Sequence, residues 1–288
     1  MKQSTKGTIA MVGAALLWSF GGIIIKLIPW NAFAIAGLRS VLGGLVIYAY
    51  LRSRGLRMIF NKDSAKIAIA FAGLCTTFVV ANKMTTAANA IVIQYCAPVY
   101  VLLYIAFVQK KKLRPLDIAV VPVTILGVAL CFLGQIGNGH LAGDLIALVS
   151  GFFFAGMFIF SEGVSEQTRA SGLMQGQFLT ALIGLPALFI TRPSFTPSAI
   201  AAILVLGIVQ IGVSYVLYSI AIKNAPLLSC SLLAVLEPML NPVWVFLFAG
   251  ENPGVLSLIG GVVVVTVVTL WSVYDARHTV VAAVPNSV

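Results

Sequence analysis

Residues 65–108 read AKIAIAFAGLCTTFVVANKMTTAANAIVIQYCAPVYVLLYIAFV, two long apolar runs on either side of a short turn of small residues. A helix rises 1.5 Å per residue, so about 20 apolar residues cross a hydrocarbon core of about 30 Å. The first run, 65–84, closes on Lys83 and Met84; the second, 89–108, stops before Lys110, Lys111 and Lys112. Carried outward in both directions, the same ruler divides the chain into ten spans: 8–28, 32–51, 65–84, 89–108, 116–134, 143–162, 173–191, 199–221, 228–248 and 254–273. The expected fold is an all-α integral membrane protein of ten transmembrane helices, with almost nothing left over for a soluble domain.

Composition points the same way. Sixty per cent of the 288 residues are apolar, 9% are charged and the mean hydropathy is +1.05, which no domain with a watery surface carries. The net charge of +10 does not form a nucleic-acid face, because the basic residues cluster in short loops. Cys75, Cys96, Cys131 and Cys230 lie inside apolar runs without a CxxC spacing and read as small hydrophobes. The N-terminus has the charge of a signal peptide, yet its apolar run continues past Trp18, so it counts as the first span. Without an organelle-targeting segment, the expected location is the cytoplasmic (inner) membrane of a prokaryote.

Lys and Arg in short loops mark the cytoplasmic side. With the N-terminus inside, Lys2, Lys6, Arg52, Arg54, Arg57, Lys62, Lys66, Lys110, Lys111, Lys112, Arg114, Arg169, Lys223 and Arg277 fall on inner segments. Only Lys26, Lys83 and Arg192 fall at outer ends, so both termini are expected in the cytoplasm. A shift of 140 residues superposes Ala81 on Ala221, Lys83 on Lys223 and Pro98 on Pro238; a shift of 136 superposes Gly7 on Gly143 and Trp18 on Phe154. The chain thus reads as two five-helix repeats, 1–135 and 136–288. Five is odd, so the second repeat enters the membrane from the opposite side, and a pair of that kind builds its binding site at the repeat interface.

The stretch Asn82 to Ala90, running into Gln94-Tyr95-Cys96-Ala97-Pro98, resembles the third and fourth helices of EamA-type members of the drug/metabolite transporter superfamily. Its counterpart is Ala221-Ile222-Lys223-Asn224-Ala225-Pro226, followed by Leu236-Glu237-Pro238 and Gly250-Glu251. Ala36-Gly37-Leu38-Arg39 resembles the family's second helix, whereas Lys110 to Lys112 stand where the family carries an acidic residue. The resemblance implies ten helices in two inverted repeats and movement of small metabolites, often by export.

Two ionisable residues lie inside spans, Arg39 and Glu237. Each costs roughly 2.5–3.5 kcal/mol at a helix centre, so each needs a partner or a wet cavity. For both, a structural role in locking helices together stands beside a functional one. Glu237, Pro238 and Asn241 share one face of the ninth span, where the proline removes a backbone bond. A carboxylate there has two uses, binding a cationic amine or carrying a proton. Further candidates for the cavity are Gln94, Tyr95 and Pro98 in the fourth span and Gln210, Ser214 and Tyr218 in the eighth. Trp18 and Ser19, on one side of the first span with Gly22 and Lys26, and Phe154 with Phe158 in the sixth complete the set; Tyr215 is balanced between cavity and packing, and Gln175 and Gln177 are weaker candidates. Lys83 and Lys223 read as interfacial anchors and, secondarily, as candidate gates, while Asp144, Glu162 and Glu251 sit at span ends and call for no functional account. Gly43-Gly44 and Gly260-Gly261 suit close helix packing.

His140 and His278 fall in a loop and the tail, and no G-x-S-x-G, H-E-x-x-H or P-loop pattern is present, so neither an enzyme nor a cofactor or metal is expected. The partners expected are the lipid bilayer, a small solute and protons. The reading is a secondary-active carrier, an exporter of a small amphiphilic metabolite such as an amino acid, working by alternating access; a passive channel or a structural membrane subunit is the alternative.

Overall fold

The computed structural model describes residues 3–110, 112, 115–133, 140–161, 163–224, 233–234, 236–250, 252 and 254–282. Among them the regular structure is entirely helical. The first half contains α1 (Gln3–Ser19), α2 (Gly21–Leu27), α3 (Ala32–Ser53), α4 (Lys62–Met84), α5 (Ala87–Gln94), α6 (Ala97–Phe107) and α7 (Pro115–Leu133). The second contains α8 (Leu141–Ser161), α9 (Glu166–Gly184), α10 (Pro186–Thr191), α11 (Pro197–Leu204), a π-helical segment (Val205–Val213), α12 (Ser214–Asn224), α13 (Leu236–Ala249) and α14 (Val255–Ala282).

Collinear pieces join across short breaks, and seven of the resulting helices are long and apolar enough to cross a membrane: Thr5–Leu27, Ala32–Ser53, Lys62–Met84, Ala87–Phe107, Leu141–Ser161, Glu166–Thr191 and Pro197–Ala221. Ile118–Cys131, Leu236–Ala249 and Val255–Trp271 are shorter apolar helices. The seventh expected span begins at Glu166, not at residue 173, because Ser165 caps it by accepting from the Thr168 amide. Asn31, Asn61, Thr86 and Thr196 cap α3, α4, α5 and α11 in the same way. Each cap supplies an acceptor to an amide without a helical partner, worth about 0.5–2 kcal/mol.

The breaks fall where the backbone ladder cannot run through. Pro98 has no N–H for the Gln94 carbonyl, and α5 gives way to α6 at Tyr95 and Cys96. Pro186 similarly separates α9 from α10 at Leu185. The π segment widens the eighth span between α11 and α12 and carries Gln210.

Packing is close at glycines. A Cβ on Gly37 would lie 2.5 Å from the Leu185 nitrogen and 2.6 Å from the Gly184 carbonyl carbon, so α3 and α9 touch backbone to backbone. Gly260 makes the same approach to the Gly127 carbonyl, which binds α14 to α7.

The main pairings follow a pattern. The third span (α4) packs on the sixth (α8) and seventh (α9), and the eighth (π segment and α12) packs on the first (α1) and second (α3). The fourth (α5, α6) meets the sixth, and α13 meets the first. Three pairings join equivalent positions: α3 with α9, α7 with α14, and α5 with α13. Exchanging the two halves maps each of these pairings onto another or onto itself. Large apolar side chains such as Phe107, Phe189, Ile190 and Val262 face outward, as lipid-facing residues do.

Candidate functional site

A cavity of about 90 Å³ lies between the two halves. One water needs roughly 10–15 Å³ by this measure, so the space holds several waters or a small solute. The first half contributes Met11 and Trp18 from α1, Arg39 from α3, Leu74, Cys75 and Phe78 from α4, and Gln94 from α5. The second contributes Phe154, Met157 and Phe158 from α8, Gln210 and Ile211 from the π segment, Tyr215 and Tyr218 from α12, Ala234, and Glu237 from α13.

Arg39 is 2% exposed. Its Nη2 donates to the Cys75 carbonyl at 2.9 Å, while Nε and Nη1 have no partner among the described residues. Glu237 is 8% exposed. Its Oε2 lies 3.0 Å from the Tyr95 hydroxyl, which is also 3.2 Å from the Ala234 carbonyl. Pro238 explains the second contact: four residues on from Ala234, it has no N–H to return to that carbonyl. One phenolic proton thus serves a backbone acceptor left open by the proline and a carboxyl group. Arg39 and Glu237 form no ion pair with each other, although both line the same space.

Aromatic rings make up much of the remaining lining. Trp18 packs on Tyr215 and Tyr218 with centroids 5.4 and 5.6 Å away, and Phe154 packs on Phe158 at 4.9 Å. The Trp18 Nε1 and Gln210 Oε1 are buried without a hydrogen-bond partner, whereas Gln94 Oε1 accepts from Ser150 at 3.0 Å. The space therefore offers one cation, one carboxyl group, an indole donor, an amide acceptor and a predominantly aromatic surface.

A model of the EamA-like transporter family matches residues 5–133 and again residues 141–273. The chain belongs to that family. Two relatives from the archaeon Archaeoglobus fulgidus, each described as an uncharacterized transporter, are 24% identical to it. The first match covers 93% of this chain and 98% of the relative, the second 90% and 93%. A crystal structure with 21% identity superposes with a TM-score of 0.64 over 95% of this chain and 99% of its own, a likeness of fold. The protein is thus a multi-pass membrane transporter, a class that works in the lipid bilayer on small solutes.

The transporter's fold gathers Trp18, Arg39, Gln94, Phe154, Phe158, Gln210, Tyr218 and Glu237 around the cavity, with Tyr95 bonded to Glu237 from behind. Four other residues expected there do not line it. Ser19 donates to the Leu16 carbonyl and accepts from Trp244 Nε1 at 3.0 Å, and its own carbonyl accepts from Asn241 Nδ2 at 3.0 Å. Ser19 and Asn241 therefore knot the first helix to α13. Ser214 turns its hydroxyl back onto the Gln210 and Ile211 carbonyls of its own helix, as mid-helix serines commonly do. Pro238 is buried outside the lining. The side chains of Pro98 and Lys223, and Cys230, Glu162 and Glu251, lie outside the described residues.

Other expected residues find partners at the helix ends. Lys83 is half-buried and its Nζ donates to the Ile28 carbonyl at the end of α2, while Lys26 Nζ donates to the Thr85 carbonyl at the end of α4. Each cation thus caps the neighbouring helix at its negative end. Asp144 sits in the first turn of α8, at a span end as expected, and is fully buried, accepting from Thr85 Oγ1 and from Asn89 Nδ2. Gly143 permits this, since a Cβ there would sit 2.6 Å from the Thr85 nitrogen. Gln175 donates to the Ile59 carbonyl at 2.6 Å, and Gln177 is fully buried; neither borders the cavity.

Lining residues without a polar signal, namely Met11, Leu74, Phe78, Met157 and Ile211, are indistinguishable in sequence from ordinary core. Tyr215 is the exception, carrying a polar tip on an apolar span.

Proposed function

We propose that the protein is a secondary-active carrier that moves a small amphiphilic solute of the amino-acid type by alternating access, in the direction of export, across a prokaryotic cytoplasmic membrane. The observation that carries the reading is the position of the cavity, between two halves that each match the same transporter family and lined by a buried Arg39 and Glu237. Ten crossings in two inverted five-helix repeats suit the seven long and three shorter apolar helices and the pairing pattern that survives exchange of the halves. Rocking such halves against each other would expose the space to each side in turn.

The excess of Lys and Arg on the N-terminal side supports both termini in the cytoplasm. In that orientation Arg39 and Gln94 each lie seven residues from the outer ends of α3 and α5, roughly 10 Å deep. Phe158 lies seventeen residues from the outer end of α8, roughly 25 Å deep. The lining thus extends toward the cytoplasmic ends, the side from which an exporter loads. Glu237 is the candidate for binding an amine or for exchanging a proton during the cycle, and Lys83 acts at a helix end as a fastener.

The test is counterflow in liposomes. Labelled amino acids should accumulate against unlabelled solute inside, with saturation, and an imposed pH gradient should drive accumulation that Glu237→Gln abolishes. Saturable exchange indifferent to pH would reduce Glu237 to solute binding. Flux without saturation or counterflow would overturn the carrier and favour a channel.

A further inference from the structure

Arg39 and Glu237 differ in how fully the protein satisfies them. Glu237 has the Tyr95 hydroxyl, and its other contacts are those of the cavity wall. Arg39 carries five N–H donors and gives the protein one bond, to the Cys75 carbonyl. No carboxylate among the described residues pairs with it: Glu237 lines the same space but bonds to Tyr95, and the other buried acid, Asp144, is engaged by Thr85 and Asn89. A structural salt bridge would pair the charge, and a merely structural arginine would cap several carbonyls. Arg39 does neither, and a buried charge without a partner is costly.

We propose that Arg39 is the docking group for a carboxylate on the transported solute, so that the substrate class is small monocarboxylates with an apolar or aromatic body, amino acids among them. The assignment rests on the carrier reading above and deepens it. Three features of the same space support it. A guanidinium is the side chain best suited to a planar carboxylate, with donors left over after Cys75. Arg39 sits about 10 Å into α3 from one end of the membrane-spanning part, at the same depth as Gln94 in α5. The rings of Trp18, Tyr218, Phe154 and Phe158 line the same space, and Phe154 and Phe158 lie thirteen and seventeen residues into α8, roughly 20 and 25 Å deep. A solute with its carboxylate on Arg39 would therefore lay its side chain among the rings and bring any amine within the zone of Glu237. Carboxylate binding also neutralises the buried charge, so the loaded carrier changes conformation more readily than the empty one and exchange outpaces net flux.

Three probes with the same aromatic body separate the parts: L-phenylalanine, 2-phenylethylamine without the carboxylate, and 3-phenylpropionate without the amine. Thermal stabilisation of the purified full-length protein in detergent reports binding, and counterflow in liposomes reports transport. Both acids should stabilise at millimolar concentration and bind at least about tenfold more tightly than the amine, the equivalent of one charge-assisted bond. Arg39→Gln should erase that preference, and Arg39→Lys should restore part of it. Equal stabilisation by all three, stabilisation by the amine alone, or none by either acid overturns the assignment whether or not the variants fold, because wild-type protein suffices. Acid preference in detergent without counterflow in liposomes keeps the assignment and overturns the carrier instead. Counterflow of the amine at the rate of the acid does the reverse.

Discussion

The contact between Tyr95 and Glu237 lends itself to a double-mutant cycle. Tyr95→Phe removes a hydroxyl that lies 3.0 Å from the carboxyl group and 3.2 Å from the Ala234 carbonyl that Pro238 leaves unbonded. A bond to a charged group contributes about 1.5–3 kcal/mol and one to a neutral group about 0.5–1.5 kcal/mol, and a buried carbonyl left without a donor costs about 1–3 kcal/mol. Tyr95→Phe should therefore destabilise the protein by about 2–4 kcal/mol. Glu237→Gln keeps an acceptor of the same shape and should cost much less. If the hydroxyl serves an ionised carboxylate, the double variant should be more stable than the sum of the singles by about 1 kcal/mol. Equilibrium unfolding of the four proteins in mixed micelles measures this directly. Additivity within about 0.3 kcal/mol would mean that the phenol serves only the Ala234 carbonyl, and the link between Tyr95 and the ionised state of Glu237 would be lost.

Further outcomes follow from packing and topology. Gly37→Val should destabilise by about 1–3 kcal/mol or abolish folding, because its Cβ would meet the backbone of Gly184 and Leu185. Gly156→Ala, whose Cβ finds only ordinary contacts at 3.4 Å and beyond, should be neutral or stabilising by up to about 1 kcal/mol in the same melting assay. Asp144→Asn should cost about 1–3 kcal/mol in unfolding, since it sets an amide donor against Thr85 or Asn89, whereas Asp144→Asn combined with Asn89→Asp should recover part of the loss. In a variant lacking native cysteines, Ser194→Cys should react with an impermeant maleimide in intact cells and Gly55→Cys should not; the opposite pattern would invert the topology.

The sequence by itself determined the element class and the approximate position of the seven long membrane-spanning helices, because a bilayer admits few ways to satisfy backbone amides and an apolar run of the right length has one use. It also made Arg39 and Glu237 conspicuous, since charges inside such runs are rare. Periodicity assigns a residue to a face of its own helix, but the identity of the opposing helix depends on how the helices pack together. Only the tertiary structure decided that Asn241 and Ser19 join helices whereas Gln94 and Gln210 face a cavity, although all four are polar residues in apolar spans. The same holds for Asp144, which in sequence is only a residue at a span end; its burial under the turn at Thr85 comes from the tertiary structure. Polar side chains in a membrane have few partners within reach along the chain, so their roles are set by contacts between residues far apart in sequence.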